Sequence, residues 1–162
     1  MPRPVTSVQR EIKQRKPFRS ASQEAFIALL RTADLLRRRV STDIEVEGIT
    51  LQQYTVLRIL RGAGPEGLPT LEIPERMIEQ APGITRLIDR LERKRLVSRE
   101  RCPEDRRQVT CRISESGLGL LAKMDVSLDH ADDALFAALS TAEQRQLIKL
   151  LDRVRADVDL PA

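Results

Sequence analysis

The stretch from Thr70 to Ile113, TLEIPERMIEQAPGITRLIDRLERKRLVSRERCPEDRRQVTCRI, restricts the fold more than any other part of the chain. Its centre reads as a helix. Ile84, Leu87, Ile88 and Leu91 recur at helical spacing and line one buried stripe. Thr85, Arg86, Asp89, Arg90 and Arg93 fall largely outside that stripe, so an apolar back carries an Arg-rich front. Pro82 suits the first helical position, where its missing N–H is not needed. Upstream, Thr70 is placed to cap a first short helix, with Gln80-Ala81 as the turn between the two. Pro74 conflicts with that assignment, because inside the helix it removes a backbone hydrogen bond and crowds the preceding turn. The first helix therefore begins later than Thr70 or is distorted in its first turn. Downstream, Leu96-Val97 closes the helix pair over the core, and two strands flank a turn at about Pro103–Arg106.

Helix, turn, basic helix and basic hairpin together make a winged helix-turn-helix. Such a second helix can enter the major groove of DNA, and such a hairpin tip can reach phosphates or a minor groove. The competing reading is a solvated mixed-charge surface on an ordinary helical domain. The ribbon favours DNA, because Arg99, Arg101, Arg106 and Arg107 crowd a short hairpin with little to bury. Arg86 and Arg90 lie four apart on the second helix, and one is expected at a base edge and the other at a phosphate.

Charge follows the same division. The formal net charge is +4, yet residues 1–19 alone carry +5 and residues 86–107 carry +4, so the remainder is acidic. Concentrated positive charge is the footprint of a nucleic-acid binder, although a basic tail on any protein would look alike. Three prolines and little apolar periodicity make residues 1–21 read as a flexible arm that touches phosphates or has no role.

Ser22 reads as the cap of a long helix, with Phe26, Leu29, Leu30, Ala33, Leu36, Val40 and Ile44 at helical spacing, and Gly48 at or beyond its end. Thr50-Leu51-Gln52-Gln53 is a capping box, and Tyr54, Leu57, Ile59 and Leu60 are the apolar positions of the helix behind it. Ser114 caps another helix, expected to run to Ala138, with Gly117 and Gly119 weakening its first turns. Ser140-Thr141-Ala142-Glu143 is a second capping box. The last helix carries Leu147, Ile148, Leu150, Leu151, Val154 and Val158, more apolar surface than one short helix buries alone, which favours a helical dimer.

No catalytic constellation, cofactor loop or metal site is read. The Gly62-x-Gly64 pair lacks the following Lys and the context of a nucleotide loop. Asp129, His130, Asp132 and Asp133 fit a solvated acidic face better than a cation site. Cys102 beside Arg101 and near Arg106 could have a lowered pKa. A turn at Pro103–Arg106 would set Cys102 opposite Arg107 and Cys111 opposite Ser98, too far apart for a disulfide. No apolar run approaches a membrane span, no secretory leader is seen, and the chain is expected in the cytoplasm, at the nucleoid.

The motifs also resemble a known family. ITRLIDRLERKRLVSR, PEDRR and CRISESG, flanked by ITLQQYTVLRIL and LSTAEQRQLIKLLDRV, are similar in order and spacing to the MarR family of bacterial transcription regulators, over about residues 22–158. The resemblance implies a homodimer with a winged helix in each subunit. It divides the chain into a basic N-terminal arm (1–21), a helical dimerisation region (22–48 and 114–158) and a DNA-binding domain (49–113). The fold class is then mainly α with a small β-wing. The DNA-binding set becomes Pro82, Gly83, Thr85, Arg86, Arg90, Arg106 and Arg107, with Asp105 orienting an arginine while Arg107 enters the minor groove. Dimer contacts fall to Phe26, Leu29, Leu147, Leu151 and Val154. The resemblance further implies a ligand cleft between the dimer region and each winged helix. There Tyr54 offers a hydroxyl and ring, Arg38 or Arg39 a cation, and Phe26 or Leu30 an apolar wall, suited to a small amphipathic or aromatic effector. Relatives that sense oxidants typically use a cysteine in the first helix, where this chain has none. Two departures stand out. Arg95 occupies a position usually held by glycine, which requires a different turn or a strained φ. Gly83 stands where a side chain could have read a base.

The leading expectation is a dimeric repressor on a near-palindromic operator, released by a small molecule. A ligand-independent or activating DNA-binding regulator and, in another class, a helical protein-interaction adaptor are the alternatives.

Overall fold

The computed structural model describes residues 8–79, 83–101 and 108–156. Among these described residues six α-helices and three short strands follow in the order α1 (Val8–Glu11), α2 (Ala21–Glu45), α3 (Leu51–Ala63), β1 (Leu68–Pro69), α4 (Ile84–Arg93), β2 (Val97–Arg101), β3 (Val109–Ile113), α5 (Glu115–Phe136) and α6 (Thr141–Ala156). The chain divides into two compact units, with the boundary between Leu118 and Gly119.

The first unit holds α1 to β3 and the start of α5. The expected flexible arm is partly helical: α1 buries Val8, and Glu11 pairs with Arg31 of α2 at 3.5 Å. The cap of α2 is Ser20 rather than Ser22. Its hydroxyl accepts the Gln23 N–H, while the Gln23 side chain accepts the Arg19 N–H. The Thr50 box forms in full: the Gln53 N–H donates to Thr50 Oγ1 at 3.3 Å and the Thr50 N–H to Gln53 Oε1 at 3.1 Å. Behind it α3 buries Tyr54, Val56, Leu57 and Leu60. Each fully buried aliphatic side chain of this set contributes about 1.5–3 kcal/mol relative to exposure.

Where the sequence suggested a first reader helix, two 3-10 turns stand, Thr70–Glu72 and Pro74–Arg76. Pro74 is the physical reason. It cannot donate within an α-helix that started at Thr70, but it fits the first position of a new turn. Thr70 does not cap; its hydroxyl donates to the Val109 carbonyl at 2.9 Å and ties the turn to the wing. Ile73, fully buried, anchors the segment in the core.

The sheet has the order β1-β3-β2, all antiparallel. Cys111 faces Arg99, not Ser98, so the register is shifted by one residue from the expected one. The shift settles which residues share a face, since side chains alternate along a strand. Cys111 is buried, and burial pushes its thiol pKa up to about 11, which leaves almost no thiolate at neutral pH.

Between α4 and β2 the chain turns through Arg95 at φ +59°. The Leu96 N–H donates to the Leu91 carbonyl at 3.0 Å and the Arg95 N–H to the Glu92 carbonyl at 2.8 Å, the pattern that closes a helix on a left-handed residue. Of the two ways an arginine could stand there, the chain uses the strained φ. Arg95→Gly is therefore expected to stabilise the protein by about 1 kcal/mol. Urea unfolding would show a higher midpoint at unchanged slope; an unchanged or lower midpoint would mean the arginine side chain offsets the strain. The same turn explains Gly117. A Cβ there would strike the Leu96 carbonyl oxygen, so the glycine that weakens α5 also lets it dock. Ser114 completes the joint, accepting the Gly117 N–H at 3.1 Å and donating to the Arg95 carbonyl at 2.7 Å.

In the second unit α5 buries Leu121, Met124 and Leu128 and ends at Phe136, short of Ala138. Ser140 and Glu143 cap α6 reciprocally, and the hydrogen bonds from Ser140 hold the Glu143 carboxyl below its ordinary pKa. Leu147 and Leu151 are half-buried, whereas Ile148, Leu150 and Val154 are exposed. Among the described residues no helix is long and apolar enough to cross a membrane.

Candidate nucleic-acid interface

The stripe read from sequence positions α4. Ile88 and Leu91 are fully buried and Ile84 and Leu87 half-buried, which leaves Thr85, Arg86, Arg90 and Arg93 exposed on the other side. The helix is entered through Gly83 at φ +86°. A Cβ there would meet open space, but the left-handed backbone excludes most L side chains, so this glycine serves the turn. Pro82, Asp105, Arg106, Arg107 and Cys102 lie outside the described residues, as do Gln80 and Ala81.

The wing arginines divide by role. Arg99 of β2 is no free cation: its guanidinium reaches Asp89 at 2.7 Å and donates through Nε to Glu92 at 3.0 Å, both on α4. The hydrogen bond from Arg99 holds the Glu92 carboxyl below its ordinary pKa, and the same bond raises that of Arg99. One side chain thus fixes the helix to the wing and neutralises the carboxylates that would repel a phosphate backbone. Arg112 is likewise engaged, with Glu100 at 2.7 Å and the Pro65 carbonyl at 3.0 Å. Arg101 is exposed at the end of β2.

Two contacts that the sequence did not reveal tie the reader to α2 and to the loop that follows it. Arg37 pairs with Glu79 at 2.8 Å, and Lys94 at the end of α4 donates to the Gly48 carbonyl. Between them lies a cleft of about 460 Å³ whose walls include Arg37, Thr50, Glu79, Arg86 and Arg90. An apolar cavity of about 290 Å³, lined by Leu36, Val40, Leu51, Met77 and Ile78, also reaches Arg37 and Glu79. None of Phe26, Leu30, Arg38, Arg39 and Tyr54 lines either space. Helical phase is the reason: Arg37 points to α3 and the reader, while Arg38 pairs with Asp34 and Arg39 lies 3.7 Å from Asp43 along α2. Phe26 and Leu30 are exposed, and Tyr54 is buried with the Arg58 guanidinium 5.8 Å from its ring centre. The sequence shows the Arg37-Arg38-Arg39 run, and in the packed helix the first of the three lines the cleft.

Among the described residues no group of His, Cys, Asp and Glu side chains is arranged to hold a metal ion. What the surface presents instead is an exposed arginine-bearing helix braced against a wing. The sequence profile of the MarR family matches residues 49–109, the segment from the cap of α3 to the start of β3. Over 135 residues the chain is 31% identical to the HTH-type transcriptional regulator MhqR of Bacillus subtilis strain 168, covering 82% of this chain and 90% of that one. The chain belongs to the MarR family. Among solved MarR-type structures, the transcription factor from Planctomyces limnophilus is 38% identical, with a TM-score of 0.66 over 84% of this chain and 98% of its own. The PcaV regulator of Streptomyces coelicolor, solved in complex with its natural ligand, is 25% identical, with a TM-score of 0.73 over 88% of this chain and 99% of its own. As a family member the chain is a winged helix-turn-helix regulator of transcription that binds double-stranded DNA sequence-specifically.

Proposed function

We propose that the protein is a dimeric repressor, released from a near-palindromic operator by a small amphipathic or aromatic anion. One observation carries the reading: Arg86 and Arg90 of the recognition helix are walls of the same cleft that Arg37 of α2 lines. A molecule filling that cleft touches the groups that meet DNA. Its carboxylate would take the place of Glu79 on Arg37, and its apolar body suits the cavity of Leu36, Val40, Leu51 and Met77. That PcaV has a natural ligand supports a ligand for this chain too. The exposed Phe26, Leu29 and Leu30 of α2 and the exposed Leu150 and Val154 of α6 support the dimer, since such faces are ordinarily covered. In this reading Arg107 enters the minor groove, oriented by Asp105, and Arg106 meets a phosphate.

Release requires that ligand favour a spacing of the two reader helices that misfits DNA. Coupling of about 1–3 kcal/mol would lower operator affinity roughly five- to 150-fold, and operator would weaken ligand binding by the same factor. Calorimetric titration of aromatic acids into protein, with and without operator, is expected to show this reciprocity, and Arg37→Ala is expected to remove it. Equal ligand affinity in both conditions, or no binding across the panel, would favour a ligand-independent regulator.

A further inference from the structure

Leu71 is 83% exposed at the second position of the first 3-10 turn. The fold does not need it there, because Ile73, two residues on, is the fully buried anchor of the segment. Its position is nonetheless fixed: the neighbouring Thr70 hydroxyl holds the turn to the Val109 carbonyl of β3 at 2.9 Å. Leu71 forms one wall of an open cavity of about 580 Å³, with Thr85 of the recognition helix, Arg99 and Val109 of the wing strands, and Gln108. Glu72, also on that wall, is turned to Arg76 at 3.2 Å. An exposed apolar side chain thus stands beside the exposed front of α4, on a wall shared by Pro69, Val109 and polar groups.

We propose that Leu71 reads sequence by packing against a thymine methyl in the operator's major groove. This rests on α4 being the element that enters the groove. Once α4 is inserted, the surface it shares with Leu71 faces base edges and backbone, and the C5-methyl of thymine is the apolar group displayed there. Leu71, flanked on the cavity wall by Pro69 and Val109 and faced by Thr85, Arg99 and Gln108, offers an apolar spot that suits one methyl, whereas a protein partner would need a larger contiguous apolar patch. Leu71 is then a specificity-determining residue contributed by the segment in front of the recognition helix.

The test uses the full-length protein and an operator obtained by selecting bound genomic fragments. Each thymine of a half-site is replaced singly by deoxyuridine, which lacks only the methyl. Wild-type protein is expected to lose affinity by about four-fold, the equivalent of one buried methyl, at one thymine position of the half-site. Leu71→Ala should bind the thymine and deoxyuridine duplexes equally at that position, and Leu71→Met should restore the difference, with thermal unfolding unchanged in both variants. Equal wild-type affinity for every deoxyuridine duplex, or discrimination that persists in Leu71→Ala, would overturn the assignment while leaving the recognition helix in place. Failure to select any duplex would overturn the DNA reading of α4 and this inference with it.

Discussion

Alanine at Arg86 or at Arg90 should weaken operator binding by about 1–3 kcal/mol each, roughly five- to 150-fold. Both side chains are exposed on the face of α4 opposite Ile88 and Leu91, so removing them leaves the buried stripe intact and thermal stability unchanged. The two losses should differ in kind. At the base-reading position the loss falls on the operator and not on unrelated duplex, so specificity flattens. At the phosphate-contacting position all duplexes lose alike, and the slope of log affinity against log salt falls by about one. Fluorescence anisotropy at several salt concentrations, on operator and on scrambled duplex, separates the two outcomes. Wild-type affinity in both variants at every salt concentration would mean that α4 is not inserted as proposed.

The second large effect concerns assembly. Phe26 is 59% exposed on α2 and Val154 is 55% exposed on α6, so aspartate at both positions should spare the fold of each unit. If each of these faces is covered in the proposed dimer, a charge enclosed there is strongly unfavourable. The double variant is expected to sediment as a monomer at micromolar concentration where wild type sediments as a dimer. Linked half-sites gain avidity of about 100- to 10,000-fold over one alone, so operator affinity should fall by a comparable factor. A monomeric wild type, or a variant that stays dimeric, would contradict the proposed seam.

What could be read from the chain was local. The stripe of α4, the Thr50 and Ser140 boxes and the choice open to Arg95 each depend on residues within a few positions, where helical phase and capping chemistry suffice. Pro74 announced a conflict, but not its resolution into two 3-10 turns. The hairpin register was missed by one residue, because pairing depends on the path of the loop as well as on the strands it joins. The missed site features are pairings across long separations. Arg37 finds Glu79 forty-two residues away, and Arg99 turns from the ribbon to Asp89 and Glu92. Charge counts alone treated Arg99 as available to DNA and could not distinguish Arg37 from its two neighbours. Gly117 was legible as a weak helical residue, and its purpose emerged only with the Leu96 carbonyl above it.

The most direct measurement of the central claim is selection of bound genomic fragments followed by hydroxyl-radical footprinting of the selected site. A dimer with one recognition helix per subunit should protect two half-sites of a near-palindrome, centred about one helical turn or a multiple of it apart, roughly 10–10.5 base pairs per turn. Protection of a single half-site, or no enrichment of any sequence over bulk genomic DNA, would contradict the account.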